Sequence, residues 1–168
     1  MKAEPALAGS VGAEPAGIAL ASFDELAAGT LYALLRLRVD VFVVEQNCPY
    51  PELDGRDTEP GTRHVWTGSD GLPTGYLRIM EEPDGSARIG RVCVAAPQRG
   101  TGLARRLMAA ALERVGDRAC VLDAQSHLAG FYASLGFAPT GPEFVEDGIP
   151  HIPMRRAGAV ARTAAVSG

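Results

Sequence analysis

Residues 91–107 read RVCVAAPQRGTGLARRL, and this stretch decides the fold of the 168-residue chain. The apolar residues 92–94 predict a strand that is buried on both faces, as in the middle of a sheet. A turn containing Gly100 and Gly102 follows, and a helix begins directly after it. Successive backbone N–H groups and the positive end of the helix dipole then point to one place. The stretch therefore predicts an anion-binding loop, although a plain glycine turn would give the same local pattern.

The side chains of this loop indicate a ligand that carries phosphate groups. Glycines let an anion approach the backbone closely, and Arg99, Arg105 and Arg106 can pair with further phosphate oxygens. The loop lacks both the G-x-G-x-x-G pattern of dinucleotide-binding proteins and the Gly-Lys-Ser/Thr of P-loops. The net charge of −4 at pH 7 argues against a general nucleic-acid binder. A local arginine cluster in an acidic chain favours a small polyanion.

Upstream of the loop, the pattern predicts four strands and one helix. Thr30 is a candidate cap for a helix over 31–44, and Arg38 falls within the apolar stripe of that helix. The proline-rich segment 46–63 shows no helix or strand pattern, and loops of this length are usually functional or disordered. The predicted strands are 18–23, 64–67, 74–81 and 87–95. A turn at 83–86 joins the last two into a hairpin.

Downstream of the loop, the pattern predicts two helices and three short strands. The helices are 102–116 and 126–134, the second capped by Ser126 and ended by Gly136. The strands are 120–122, 137–145 and 151–154. The element order is β-α-β-β-β-α-β-α-β-β, which predicts an α/β (α+β layered) protein with a mixed central sheet flanked by helices. We expect one domain over 17–156, between disordered tails at 1–16 and 157–168.

Other features of the sequence exclude several classes of protein. The N-terminal residues have no apolar core of a secretory signal, and no apolar run approaches the ~18 residues of a membrane span. Cys48, Cys93 and Cys120 are an odd number of distant cysteines, which fits neither a disulfide framework nor a metal site. We expect a cytoplasmic protein without a metal, a membrane or a nucleic-acid partner. The sequence leaves open a homodimer.

Two segments resemble the GNAT superfamily of N-acyltransferases. RGTGLA at 99–104 is similar to the R-x-x-G-x-G/A signature of that family, and QSHLAGFYASLGF at 125–137 looks like its N-x-x-A-x-x-F-Y-x-x-x-G-F segment, with Gln125 in place of the usual Asn. The resemblance covers about 17–156. It is nearest to the ElaA-type branch, through LRVDVFVVEQ at 37–46, YPELDGRD at 50–57 and GIPHIPM at 148–154.

The resemblance implies direct transfer of an acetyl group from acetyl-CoA to a primary amine in a ternary complex. Tyr132 matches the family's general acid, which protonates the leaving thiolate. A backbone N–H of the strand over 92–94 would stabilise the developing oxyanion. The implied coenzyme A-binding residues are Val92, Cys93, Val94, Arg99, Gly100, Thr101, Gly102, Leu103, Ala104, Arg105 and Gln125.

The acceptor side is less defined by the sequence. Glu45, His64 and His151 are candidates for the base that deprotonates the amine, of which histidine has the most suitable ordinary pKa. Candidate acceptor-binding residues are Arg38, Asp54, His64 and Glu146. The acids of segments 46–63 and 143–151 would suit a cationic amine, but a solvated acidic surface would explain them equally well. The acceptor can be a small molecule or a protein.

Two other functions fit the same residues. One is an acyltransferase similar to acyl-homoserine-lactone synthases, whose early helix loosely resembles Arg38, Phe42 and Glu45. The other is a non-catalytic module that keeps coenzyme A as a structural ligand or signal. Retention of Tyr132 and of the complete loop favours the N-acetyltransferase.

Overall fold

The computed structural model describes residues 17–69 and 71–159. The predicted tail at 1–16 lies outside the described residues, as does most of the tail predicted at 157–168. In the described part of that second segment, the backbone amide of Ala159 donates to the carbonyl oxygen of Asp117 at 3.0 Å.

The described residues form a mixed eight-stranded sheet with helices against it. The strands are β1 (Ile18–Ala21), β2 (Arg63–Ser69), β3 (Leu72–Glu81), β4 (Ala87–Val94), β5 (Cys120–Gln125), β6 (Ala138–Pro139), β7 (Phe144–Glu146) and β8 (Ile149–Arg156). The α-helices are α1 (Ala28–Val39), α2 (Leu103–Val115) and α3 (Ala129–Ala133). The strand order is β1-β2-β3-β4-β5-β8-β6, with β7 also paired to β8. Among the strands of the described residues, only β4 and β5 pair in parallel.

This architecture confirms the fold class that the sequence predicts. The one difference in element order lies at 137–145, which the pattern treats as one strand and the structure divides into β6 and β7. Pro139 and Pro142 have no N–H to donate to a ladder, so a continuous strand is interrupted there. Both short strands still pair with β8.

The first helix differs from its prediction in its start and in its buried face. It begins at Ala28, with Ala27 as the N-cap, so Thr30 lies inside the helix. A π-helical segment, Asp40–Glu45, continues it. The predicted stripe of Leu31, Leu35, Val39 and Phe42 is only half-buried, and the buried face is Leu34, Leu37, Arg38 and Val41. Leu34, Leu37 and Val41 flank Arg38 at equally good helical spacing, and the ion pairs that bury Arg38 turn this face inward.

Helix α2 packs on β3 at very short range. Its Leu107, Met108 and Ala111 are fully buried in the main core. A Cβ atom added at Gly75 of β3 would lie 2.7 Å from Leu107 Cδ1 and 3.2 Å from Leu103 Cδ2. Glycine at position 75 therefore sets how closely α2, and the loop that precedes it, can approach the sheet.

Strands β4 and β5 separate soon after they meet. Their pairing consists of Ala87 with Cys120 and Arg88 with Val121, and the rest of β4 has only β3 as a neighbour. The β3–β4 register shifts between Tyr76 and Arg78. Opposite this shift, Arg91 has a left-handed backbone with φ of 54°, as in a β-bulge. The divergence opens a gap in the middle of the sheet.

Behind the gap lies a network of six buried or half-buried charged side chains. Arg38 donates to both carboxylate oxygens of Glu52 at 2.9 Å and to Asp57 at 2.7 Å. Arg78 bonds Asp57 at 2.8 Å and also Asp54, and Arg91 donates to Glu52 at 2.7 Å. The three arginines come from α1, β3 and β4, and the three acids all come from the segment between α1 and β2. The network therefore fixes that long segment against the sheet.

His64 is bonded to the same network in its neutral form. Its Nε2 lies 3.1 Å from the carbonyl oxygen of Asp57, which can only accept, so Nε2 carries the proton and Nδ1 accepts from the Tyr76 hydroxyl at 2.7 Å. Burial lowers the pKa of His64, and the nearby guanidinium groups of Arg38 and Arg78 act in the same direction. Protonation of His64 would place a third positive charge beside Arg38 and Arg78.

We expect Gly75→Ala to destabilise the protein by about 1–3 kcal/mol, because the new methyl group overpacks the contact with α2. Urea denaturation measures this. Gly29→Ala is the matched control: a Cβ at Gly29 meets nothing within 4 Å, and in a helix the change should stabilise by about 0.5–1 kcal/mol. Equal stability of Gly75→Ala and wild type would show that α2 can move away from β3 without cost.

His64 should make the free energy of unfolding depend on pH. Because its folded pKa is lowered, its contribution is complete above the ordinary histidine pKa of about 6.5 and is lost as the pH falls below it. We expect the free energy of unfolding to fall between about pH 7 and 5, and His64→Gln to flatten that slope. His127→Gln, which changes an exposed histidine, should leave the slope as it is. If the free energy of unfolding of His64→Gln fell as steeply with pH as that of wild type, His64 would not be the group responsible.

Candidate active site

The gap between β4 and β5 is the centre of a cleft of about 960 Å³. One end is formed by the loop after β4, the start of α2 and α3. The other end is formed by the π-helical turn after α1, by Tyr50 and by the β7–β8 hairpin. We refer to this space as the cleft. Six arginines and five carboxylates line it, so it contains both signs of charge.

The loop after β4 leaves backbone donors open at the cleft. Gly100 and Gly102 have φ of 77° and 81°, a conformation that glycine adopts without steric cost. Helix α2 begins directly after Gly102 and has no side-chain cap, so its first backbone amides have no helix partner. Together with the helix dipole, open amides of this kind suit an anionic group. The predicted order of strand, glycine turn and helix is confirmed.

The predicted coenzyme-binding residues collect at this end of the cleft. The structure places ten of the eleven in its lining: Val92, Cys93, Val94, Arg99, Gly100, Gly102, Leu103, Ala104, Arg105 and Gln125. Thr101 does not line it, and its hydroxyl donates to the carbonyl oxygen of Gln98 at 2.6 Å. Thr101 therefore holds the turn and presents no side chain to a ligand. The amide of Gln125 donates to the side chain of Gln46 at 3.2 Å.

Glu45 and Arg99 join the two sides of the cleft. Arg99 donates through Nη2 to Glu45 Oε2 at 2.9 Å, and its Nε donates to the carbonyl oxygen of Val94 at 3.1 Å. The hydrogen bond and charge of Arg99 hold the pKa of the Glu45 carboxyl below its usual value. In this arrangement Glu45 is a weaker base than an unpaired glutamate.

Tyr132 points from α3 into the cleft. Its ring is buried and makes edge contacts with Phe131 and Phe137 at centroid distances of 5.1 and 6.2 Å. Its hydroxyl makes no hydrogen bond to another described residue. This hydroxyl is also not sealed from solvent, since it is not among the buried unpaired polar atoms, so it is open to the cleft. Burial raises the pKa of Tyr132 to about 12. A hydroxyl with this environment is a hydrogen-bond donor over the whole physiological pH range.

His151 on β8 has a defined tautomer in its neutral form. Its Nδ1 lies 2.7 Å from the carbonyl oxygen of Ile149, so Nδ1 carries the proton of the neutral ring and Nε2 keeps its lone pair. The ring stacks on Phe144 at 5.7 Å, and His151 lines the cleft. It therefore combines an open nitrogen with access to a bound molecule.

The predicted acceptor-binding residues fall into two groups. Asp54 and Glu146 line the cleft. Arg38 and His64 are about 0% and 1% exposed and belong to the buried network, so in this structure they cannot contact an acceptor. Both nitrogens of His64 are also occupied, which makes it unsuitable as a base. The acid-rich loop differs from its prediction in the same way, because Glu52 and Asp57 are buried against arginines.

The polar cleft-lining residues that sequence reasoning did not assign to the site include Tyr50, Arg78 and Arg91. The alternation of Tyr76, Arg78 and Met80 on β3 could have placed Arg78 on the same face as Tyr76, toward the network. No sequence signal marks Arg91, whose position depends on the bulge. Within 17–69 and 71–159, no group of three or more His, Cys, Asp or Glu could hold a metal ion, and no helix there is long and apolar enough to cross a membrane.

Comparisons with known proteins identify the family. Residues 37–157 match the model of an acetyltransferase (GNAT) domain. A UPF0039 protein of Mycobacterium tuberculosis is 54% identical over 139 residues, which cover 80% of this chain and 89% of that protein. ElaA of Escherichia coli is 44% identical over 139 residues, which cover 79% of this chain and 91% of ElaA.

Solved structures agree with the sequence matches. The crystal structure of Escherichia coli ElaA superposes with a TM-score of 0.78 at 41% identity, covering 83% of this chain and 97% of that one. An acyl-CoA N-acyltransferase from Pseudomonas aeruginosa has a TM-score of 0.80 at 41% identity, covering 83% of this chain and 98% of that one. The chain belongs to the GNAT acetyltransferase family and, within it, to the ElaA-type branch.

Proposed function

We propose that the protein transfers an acetyl group from acetyl-CoA to a primary amine, directly and within one ternary complex. The observation that carries this proposal is the position of two unpaired sets of donors in one cleft. The open amides at the start of α2 suit a pyrophosphate, and the open hydroxyl of Tyr132 suits a thiolate leaving group. The membership of this chain in an acetyltransferase family supports the same reaction.

Acetyl-CoA fits the shape and the charges of the cleft. The pyrophosphate would lie at the loop 99–104, and Arg99 and Arg105 line that end. The acyl group would then extend along 92–94, where β4 has lost its pairing with β5 and alternate backbone N–H groups face the gap. One of these is the proposed donor to the oxyanion that forms on the thioester carbonyl, and a fixed donor of this kind is worth about 3–4 kcal/mol.

Tyr132 is the proposed acid for the departing thiolate. With its pKa near 12 and a thiol pKa near 8.5, complete proton transfer from tyrosine to thiolate would be uphill by about 5 kcal/mol. A hydrogen bond that strengthens as negative charge develops on sulfur avoids this cost. The proton liberated from the amine then balances the reaction, so that the products are an amide and a free thiol.

The amine must lose a proton before or during the attack. An amine with a lysine-like pKa near 10.4 is neutral in only about one molecule in 2,500 at pH 7. We propose His151 as the base, acting directly or through water, since its Nε2 is open and the alternative Glu45 is paired with Arg99. Among the predicted rim acids, Glu146 lines the cleft and makes no ion pair within the described ranges, so it is the proposed contact for the ammonium form. The cytoplasmic location stays a prediction.

Gly102→Glu should abolish acetyl-CoA binding, because its carboxylate would occupy the place of the phosphates. A side chain at φ of 81° is strained by itself, so Gly102→Ala is the matched control: its Cβ meets nothing within 4 Å. We expect the alanine variant to bind within about tenfold of wild type. Calorimetric titration checks both. Equal affinity in wild type and Gly102→Glu would overturn the loop assignment.

Tyr132→Phe should keep the fold and the affinity for acetyl-CoA but lower kcat by about 10- to 1,000-fold, the range for loss of a general acid. The measurement is release of free thiol from acetyl-CoA with a panel of primary amines. Phe131→Leu, on the same helix, is a packing control and should leave kcat within a few-fold. No turnover with any amine would refute the proposed reaction, and an unchanged kcat in Tyr132→Phe would show that this residue only packs.

A further inference from the structure

Arg91 is held rigidly along one edge of its guanidinium group. Its Nε donates to Glu52 Oε1 at 2.7 Å and its Nη2 to the carbonyl oxygen of Glu52 at 3.0 Å. The guanidinium carbon lies 5.5 Å from the centroid of the Tyr50 ring, within cation–π range. Glu52 is itself fixed by the buried Arg38. The orientation of Arg91 is therefore set from behind, before any ligand arrives.

The opposite edge of Arg91 is open to the cleft. Its Nη1 has no hydrogen-bond partner within 17–69 and 71–159, and its side chain is 22% exposed. The Tyr50 hydroxyl is likewise unpaired within these ranges. Neither atom is sealed from solvent, since the buried unpaired polar atoms of the described residues are limited to Arg78 Nε. Both side chains line the cleft, so two unused donors face the same space.

The position of Arg91 on β4 brings its backbone close to the proposed reaction centre. Arg91 directly precedes 92–94, the strand segment proposed to carry the oxyanion donor, so its Cα lies within about 10 Å of each of these residues. It has a left-handed φ of 54°, which costs a non-glycine residue about 1–3 kcal/mol and is most frequent at functional sites. A molecule that touches both the thioester and Arg91 must be short.

We propose that Arg91 and Tyr50 bind a carboxylate of the acceptor, so that the substrate is an amine that carries a carboxylate a few bonds from its nitrogen. This inference rests on the proposed amine acetylation and adds the chemical class of the acceptor. One guanidinium N–H edge and one phenol hydroxyl match the two oxygens of a carboxylate. A phosphate, with three oxygens and up to two charges, would leave at least one oxygen without a partner from this pair.

The balance of charge in the cleft supports a zwitterionic acceptor. The network behind the cleft contains three arginines and three carboxylates and is neutral. Glu146 lies in the lining without an ion-pair partner in the described ranges. The cleft thus offers donors for an anionic group and a carboxylate for an ammonium group, which suits a molecule that carries both.

The test compares acceptors that differ only in the carboxylate. Glycine, 3-aminopropanoate, 4-aminobutanoate and 6-aminohexanoate are each measured against the alkylamine with the same number of methylene groups between nitrogen and the chain end. In wild type we expect at least tenfold higher kcat/KM for the carboxylate-bearing member of one of the shorter pairs. Arg91→Gln should remove this preference, with little change in KM for acetyl-CoA or in kcat/KM for the plain amine. Tyr50→Phe should reduce it by a smaller factor.

Arg88→Gln is the matched control. Arg88 lies on the same strand, lines the same cleft and has a similarly exposed side chain, at 27%, but its guanidinium is paired with Glu82 and Asp123. It should keep the preference. An equilibrium measurement separates binding from catalysis: with coenzyme A present, 4-aminobutanoate should raise the Tm of wild type and of Arg88→Gln more than that of Arg91→Gln.

Two results would overturn the proposal. One is equal kcat/KM for both members of every pair in wild type. Another is an equal loss for both members in Arg91→Gln, which would assign Arg91 a structural role. Both results differ from failure of the proposed function, in which none of the amines, with or without a carboxylate, would release free thiol.

Discussion

The structure depends on the pairing of one buried cation with carboxylates from a long loop. Arg38 is fully buried on α1 and bonds both oxygens of Glu52 as well as Asp57. Burial acts to raise the pKa of Asp57, but the hydrogen bonds and charges of Arg38 and Arg78 outweigh it and hold the pKa low. Removal of one partner from such a buried pair costs about 3–5 kcal/mol, because the other charge is then left without compensation. The segment after α1 is largely without regular secondary structure, so its conformation depends on this pairing together with the bonds of Arg56 to Glu81 and Glu82.

The same network links the fold to the site. The segment after α1 provides Tyr50 and Asp54 to the cleft, and its acids orient Arg78 and Arg91 on β3 and β4. The acceptor end of the cleft is thus made of side chains that are fixed by ion pairs, whereas the coenzyme end is made of backbone amides that are fixed by glycine turns and a helix. The two ends meet where β4 and β5 separate. A ligand at either end therefore binds donors whose orientation is already set by the fold.

Sequence reasoning predicted the local geometry at one end of the cleft and only part of the other end. The coenzyme loop is local: a strand, two glycines and a helix follow one another within about 17 residues, so the pattern contains the whole geometry. Tyr132 was assigned to the site by the resemblance of the segment 125–137, which is local too. The acceptor end depends on contacts between residues that are distant in sequence, such as Arg38 with Asp57 or Arg91 with Glu52. From the sequence, the loop acids suited either a rim for a cationic amine or a solvated surface, and Arg38 and His64 were assigned to the acceptor. A sequence pattern does not show which distant charges pair.

The bulge at Arg91 also decides which kinds of change this strand can accept. Side chains along a strand alternate between its faces, and a shift of one residue exchanges the faces of everything that follows. β4 has two parts: a hairpin end that pairs with β5 and a far end that borders the coenzyme loop. The extra residue at the bulge shifts the alternation of side chains between these two parts. A substitution there alters one side chain. Loss of a single residue would instead exchange the face of Cys93, which packs with Leu34 and Tyr76, with the face of Val92 and Val94, which pack against the main core. Within this family, we therefore expect the length of β4 to vary much less than its composition.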